Sequence, residues 1–190
     1  MAVLIRRYPV AFSLWVSVTL LGPASAAVSA QAQAPAANVQ GPASVAPTDS
    51  AFARAAASDA QAEIALAALA QQTTSSDIVR GLAEEMQRVY LDTARKLRDF
   101  GDRKHVELPS VVSLNDQVAL DELSHLTGSA FDRAFAENVI EAHRDAIAAF
   151  QLYASTGGEP ELRALADRHL PKLRRLLAAA QDVRNTSNSD

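Results

Sequence analysis

Three observations predict an all-α fold. Alanine is abundant while aromatic residues make up only 5% of the chain, which suits helices packed through small side chains better than a sandwich or barrel. From about residue 50 onward, apolar residues recur at helical spacing in five segments, each with capping or stop residues at its ends. No segment alternates apolar and polar residues over strand length. At 190 residues the chain has the size of one domain with a real core.

Ahead of the helices, residues 1–30 read as a secretory signal peptide. Arg6-Arg7 forms the positive region, Val10 to Leu21 the apolar one, and Ala24-Ser25-Ala26 or Val28-Ser29-Ala30 precedes a cleavage site near residue 26 or 30. The apolar run holds about 12 residues where a transmembrane helix needs about 20, so the expectation is export to the periplasm with cleavage and no transmembrane span in the mature chain. The RRYPV stretch matches twin-arginine export poorly, and general secretion is the simpler route. Residues 31–49 are alanine, proline, glycine and small polar residues with nothing larger than valine to hold a core, and read as a disordered linker.

Removing residues 1–30 takes Arg6 and Arg7 with it and leaves 16 of the 18 basic residues against 22 acidic ones, which disfavours nucleic acid as a partner. The chain has no cysteine, which excludes disulfides, thiolate metal sites and a cysteine nucleophile. Any chemistry therefore falls to carboxylate, imidazole and hydroxyl groups.

The domain is expected over residues 50–184, with a disordered tail at 185–190. Its first helix begins near Ser50 or Ala51 under Thr48-Asp49-Ser50 caps and runs to about Gln72. Phe52, Ala56, Ala60, Glu63, Ile64, Ala67 and Ala70 share one arc at 100° per residue, which puts the Glu63 carboxylate on an apolar face, with Asp59 at its edge. Glu63 there is either a ligand or a glutamate that reaches water from the rim of the stripe. The second helix is capped by Ser75 or Ser76, stops at Gly101, and buries Ile78, Leu82, Met86, Val89, Thr93, Leu97 and Phe100, with Tyr90 flanking that stripe. A polar connection at residues 102–113 carries an exposed His105.

A shorter helix follows from Leu114 to Leu126, with His125 on its surface near the C-terminus, where a cation is mildly favoured. The fourth runs from a Ser129 cap to Gly157-Gly158, and Asp132, Phe135, Val139, Ile140, His143, Ile147 and Phe150 form its stripe, so a histidine faces inward. The fifth starts with Pro160 at its first position and buries Leu162, Leu165, His169, Leu173, Leu176 and Ala180, and Pro171 should kink or split it. Lys172, Arg174 and Arg175 beside Leu170, Leu173, Leu176 and Leu177 have the look of a membrane-surface helix. Leucines facing the core and cations facing water explain the same pattern without a membrane.

The runs AEIALAALAQQTTSSDIVRGLAEEM, LTGSAFDRAFAENVIEAH and HLPKLRRLLAAA, in that order, resemble a bacterial periplasmic family of unknown function, often labelled putative outer-membrane proteins and assigned a ferritin-like bundle. The resemblance covers about Ser50 to Gln181. It implies an up-down bundle of four main helices plus one shorter helix, with a glutamate, two Asp-His pairs and a late histidine facing the interior. Here the glutamate is Glu63 and the fourth-helix histidine is His143. The second-helix pair becomes Val89-Tyr90, the aspartate before His143 becomes Ala142, and the last histidine becomes Leu176. His169 is a substitute for that last position if Pro171 leaves it pointing inward.

A di-iron site needs a glutamate from each of two helices and a Glu-x-x-His pair from each of the other two, whereas this chain has one such pair, Glu122 with His125, on the short helix. What remains is at best one site for a single transition-metal ion, from Glu63, His143 and His169. A buried Glu63–His143 hydrogen-bonded pair is the reading favoured over metal. No phosphate loop, zinc helix or nucleophile elbow is present. The expectation is thus a non-enzymatic exported bundle in envelope upkeep or stress tolerance, with no cofactor and with an envelope protein as possible partner. The alternatives are a metal-binding or metal-oxidising bundle and a membrane-surface or partner-binding protein.

Overall fold

In a computed structural model, residues 45–187 are described and form five helices with no strand among them: α1 (Pro47–Thr73), α2 (Asp77–Lys104), α3 (Leu114–Ser124), α4 (Gly128–Thr156) and α5 (Pro160–Ser187). Residues 1–44, on which the expected signal peptide and most of the expected linker fall, and residues 188–190 lie outside the described residues. Four of the helices are long, at 27 to 29 residues, and α3 has 11.

The ends of the helices follow local chemistry, with four departures from expectation. α1 starts at Pro47, earlier than Ser50, because proline is pre-set for the first helical position and lacks the N–H that would go unpaired there. The Asp49 carboxylate is consequently not a cap. It accepts hydrogen bonds from the Tyr153 hydroxyl at 2.7 Å and from the Gly158 N–H at 3.0 Å. α2 is capped by Ser76, whose hydroxyl accepts from the Val79 N–H, but it does not stop at Gly101. The helix continues to Lys104 and ends on His105 in the left-handed conformation, φ 55°.

Gly101 is required for a different reason. The returning chain lies so close that a Cβ there would sit 2.7 Å from the Val106 carbonyl oxygen. α4 starts after Thr127 and not at a Ser129 cap. Pro171 does not split α5, because it and Asp167, whose carbonyl loses its partner, both lie on the exposed face where water can take the place of the missing N–H.

Hydrogen bonds at the two ends fix the directions. The start of α1 meets the end of α4 through Asp49 and Tyr153. The turn after α1 meets the start of α4, where the Thr74 hydroxyl donates to Asp132 Oδ1 at 2.6 Å. α4 therefore runs antiparallel to α1. The end of α2 meets the start of α5 through an Arg103–Glu161 pair and a Lys104–Glu159 contact of 3.3 Å, so these two are antiparallel as well. Three-residue turns join α1 to α2 and α4 to α5. α2 and α4 then point the same way, and the chain between them has to travel back along the helices. α3 sits on that return and packs against α1 and α4.

The core runs between the four long helices. α1 contributes small residues, with Ala53, Ala60, Ala67 and Ala70 fully buried, which lets α2 approach closely. α2, α4 and α5 supply the bulk, including Phe100, Phe131, Phe135, Leu97 and Leu173. Fully burying one such side chain stabilises the fold by about 1.5–3 kcal/mol. Among the described residues, no helix is long and apolar enough to cross a membrane.

Candidate functional site

The helical periods bring the three sequence-predicted residues inside: Glu63 and His143 are 0% exposed and His169 is 3% exposed. Two residues that the sequence reading placed in ordinary packing roles join them, Tyr90 at 1% and Thr93 at 4%. Both come from α2. Because Thr93 lies three residues after Tyr90, the two occupy adjoining positions on its inner face.

Each imidazole is held by a hydrogen-bond arrangement that decides its tautomer. His143 Nδ1 lies 2.9 Å from the Val139 carbonyl oxygen, one turn back on α4. A carbonyl only accepts, so Nδ1 carries the hydrogen and, in the neutral ring, Nε2 keeps a lone pair. That Nε2 lies 3.3 Å from the Tyr90 hydroxyl, which donates to it. Thr93 donates its hydroxyl hydrogen to the Val89 carbonyl at 3.0 Å and is 3.1 Å from His169 Nδ1. Having given away its only hydrogen, the Thr93 oxygen accepts from His169 Nδ1–H.

The Tyr90 ring packs at a steep angle to both imidazoles, 87° to His143 and 75° to His169, with ring centres 5.8 and 5.5 Å away. Phe150 packs against His169, with ring centres 5.0 Å apart. Burial pushes His169 down from its ordinary 6.5 to about 4, and the positive charge of Lys172 acts in the same direction. His169 is therefore neutral near pH 7.

Two further polar ties sit at the ends of the helices. At one end Asp49, 4% exposed, holds Tyr153 and Gly158, while Phe52 stacks on the Tyr153 ring at 3.7 Å. Burial, and then the bond to Asp49, raise the Tyr153 hydroxyl above its usual range. At the other end Asp132 accepts from Thr74, whose own oxygen accepts from the Ser76 N–H at 3.0 Å and whose carbonyl accepts from Arg80 at 3.0 Å. Asp132 belongs to the Gly-x-x-Phe-Asp stretch picked out in the sequence.

The remaining candidates are on the surface. His105, Glu122 and His125 are exposed, and His125 Nε2 lies 3.7 Å from Asp121. On the α2–α5 face Asp92 bonds Lys96 and Arg95 and reaches Lys172 at 3.5 Å, and these cations hold its carboxyl down to about 2. Among the described residues, no three His, Asp or Glu side chains form a group that could hold a metal ion.

Tyr90 is the interior polar residue that the sequence reading underrated. The available signal was its position, since the resemblance to the periplasmic family places an inward histidine there.

An all-α domain with imidazole–hydroxyl pairs across its long helices is the class these features define. The chain belongs to the family described as Domain of unknown function (DUF4142), whose model matches residues 34–183. Among solved structures it is similar to one titled as the crystal structure of a DUF305 fragment from Deinococcus radiodurans, at 18% identity and a TM-score of 0.68, over 76% of this chain and 99% of that one. At that identity the likeness shows a shared helical fold. No curated protein matches the chain.

Proposed function

We propose that this protein is an exported, non-enzymatic helical bundle of the cell envelope, with the topology of the ferritin-like folds and an interior whose polar residues serve to hold the helices together. The observation that carries the reading is that the inward imidazoles of α4 and α5 both bond to hydroxyls of α2, His143 to Tyr90 and His169 to Thr93. Buried polar groups bonded across elements select one arrangement of helices over its alternatives, because every mispaired arrangement strands a donor or acceptor.

The long return between α2 and α4 supports the ferritin-like connectivity, which has one such crossover. Export rests on the positive and apolar character of residues 1–30.

The test is to produce the full chain in a Gram-negative host and fractionate the cells. A chain in the periplasmic fraction that begins after residue 26 or 30 is the expected result, and intact chain confined to the cytoplasm contradicts export. Turnover of a redox-active metal by the purified protein faster than by the free ion contradicts the non-enzymatic role.

A further inference from the structure

The chain as a whole is acidic, but the outer face shared by α2 and α5 is not. Arg88 to Arg98 and Arg168 to Arg175 together hold eight of its 18 basic residues and only one of its 22 acidic ones, Asp92. Two contacts set the register of these stretches: Thr93 meets His169, and Asp92 lies 3.5 Å from Lys172. Because the helices are antiparallel, Arg88 and Arg175 are displaced from the Asp92–Lys172 contact in one direction and Arg95 in the other. Between the helices lies a groove of about 810 Å³, lined by Arg88, Arg95, Lys172 and Arg175.

Cations on a helix surface ordinarily pair with nearby carboxylates, and here the carboxylates are too few. Asp92 alone serves Lys96, Arg95 and Lys172, three positive charges to its one negative. Arg88 pairs with Glu85 one turn back, and Arg175 has no acidic partner among the described residues. Glu84 and Glu85 line the groove on the far side of Arg88. Leu91, 52% exposed, stands between Arg88 and Arg95 on one row of α2, since the three are spaced by three and four residues. Seven residues of helix put the two arginines about 10 Å apart along the axis.

We propose that this groove binds a small organic anion with a phosphate at each end, one held by Arg95 and Lys172, the other by Arg88 and Arg175, and the carbon body over Leu91. A guanidinium fork matches two phosphate oxygens at once, and the lysine adds a point charge. Arginine has five donors and lysine three, so Arg95 and Lys172 keep N–H groups for the ligand while bonded to Asp92. The concave shape suits a discrete molecule. A flat anionic lipid surface would meet Glu84 and Glu85 together with the cations. The site lies outside the bundle core and goes beyond the structural role proposed for the interior imidazoles.

The experiment titrates the purified full chain by calorimetry with hexanediol bisphosphate, phosphorylated at both ends so that its phosphates span a comparable distance, and in parallel with hexyl phosphate. Saturable one-to-one binding of the bisphosphate is expected, about tenfold tighter than that of the monophosphate and weakening as salt is added. Arg175→Gln removes a charge on which no carboxylate depends, so the fold is kept, and binding should weaken about fivefold. Lys172→Gln should weaken it as well, because Lys96 and Arg95 still hold Asp92 but one phosphate loses a partner. Arg144→Gln makes the same change of charge on the exposed face of α4, outside the groove, and should leave the affinity as it was. Vesicles of phosphatidylcholine carrying cardiolipin should not capture the protein. No binding of the bisphosphate, equal affinity for hexyl phosphate, an equal loss in Arg144→Gln, or capture by the vesicles without binding of the bisphosphate would each overturn the proposal.

Discussion

The Thr74 hydroxyl donates to Asp132 Oδ1 at 2.6 Å, across 58 positions of sequence, and so joins the α1–α2 turn to the first turn of α4. Thr74 is 5% and Asp132 8% exposed. Thr74→Val keeps the shape and removes the donor, leaving a buried carboxylate oxygen without it. The expected loss is about 1–3 kcal/mol, read as a lower thermal midpoint. Asp132→Ala should cost a similar amount, and the pair together little more than either alone, since both remove the same contact.

Two glycines of α2 should answer the same substitution with opposite signs. A Cβ at Gly81 meets nothing within 4 Å, so Gly81→Ala should stabilise the protein by about 0.5–1 kcal/mol through helix propensity. At Gly101 the Cβ would face the Val106 oxygen at 2.7 Å and Leu108 at 3.0 Å, and Gly101→Ala should destabilise. Denaturant midpoints of the two variants check both signs.

The long helices were legible because their stripes keep a 3.6-residue period, which also puts His143 inward, whereas the period left Glu63 free to reach water from the rim and made the inward placement of His169 depend on Pro171. The role of Tyr90 was not legible. α2 packs against both α1 and α5, so its buried arc is wider than a single stripe and takes in Ala83, Tyr90 and Ala94 beside the expected Leu82, Val89 and Thr93. The same widening displaces its start, where Val79 is buried at 1% and Ile78 is 61% exposed. Gly101 misled because a glycine near the end of an apolar stripe reads alike whether it stops the helix or makes room for another chain segment.

His169 should make the protein sensitive to acid. Its folded value of about 4 lies below the ordinary 6.5, so the unfolded chain takes up the proton first as pH falls. Its contribution is whole above about 6.5, declines through the interval, and is gone below 4. The full difference corresponds to about 3 kcal/mol. Melting curves from pH 7 to 4 should fall less steeply for His169→Leu than for the unaltered protein. Equal slopes would show that His169 takes no part.

Glu63 and His143 are both fully buried, on helices that pack against one another. If the carboxylate and the imidazole support each other, Glu63→Leu and His143→Leu should each be costly, and the double variant should cost less than the two losses added together. Additive losses in thermal midpoint would show that each residue answers to other neighbours.

The central claim is that hydroxyls of α2 hold the inward imidazoles, and the Tyr90–His143 contact tests it most directly. Tyr90→Phe removes the donor to Nε2, and His143→Leu removes the acceptor of the phenol. Either change alone should cost about 1–3 kcal/mol. A double-mutant cycle by urea denaturation should return a coupling on the order of 1 kcal/mol, with the double variant less damaged than the singles predict. Coupling indistinguishable from zero would contradict the account.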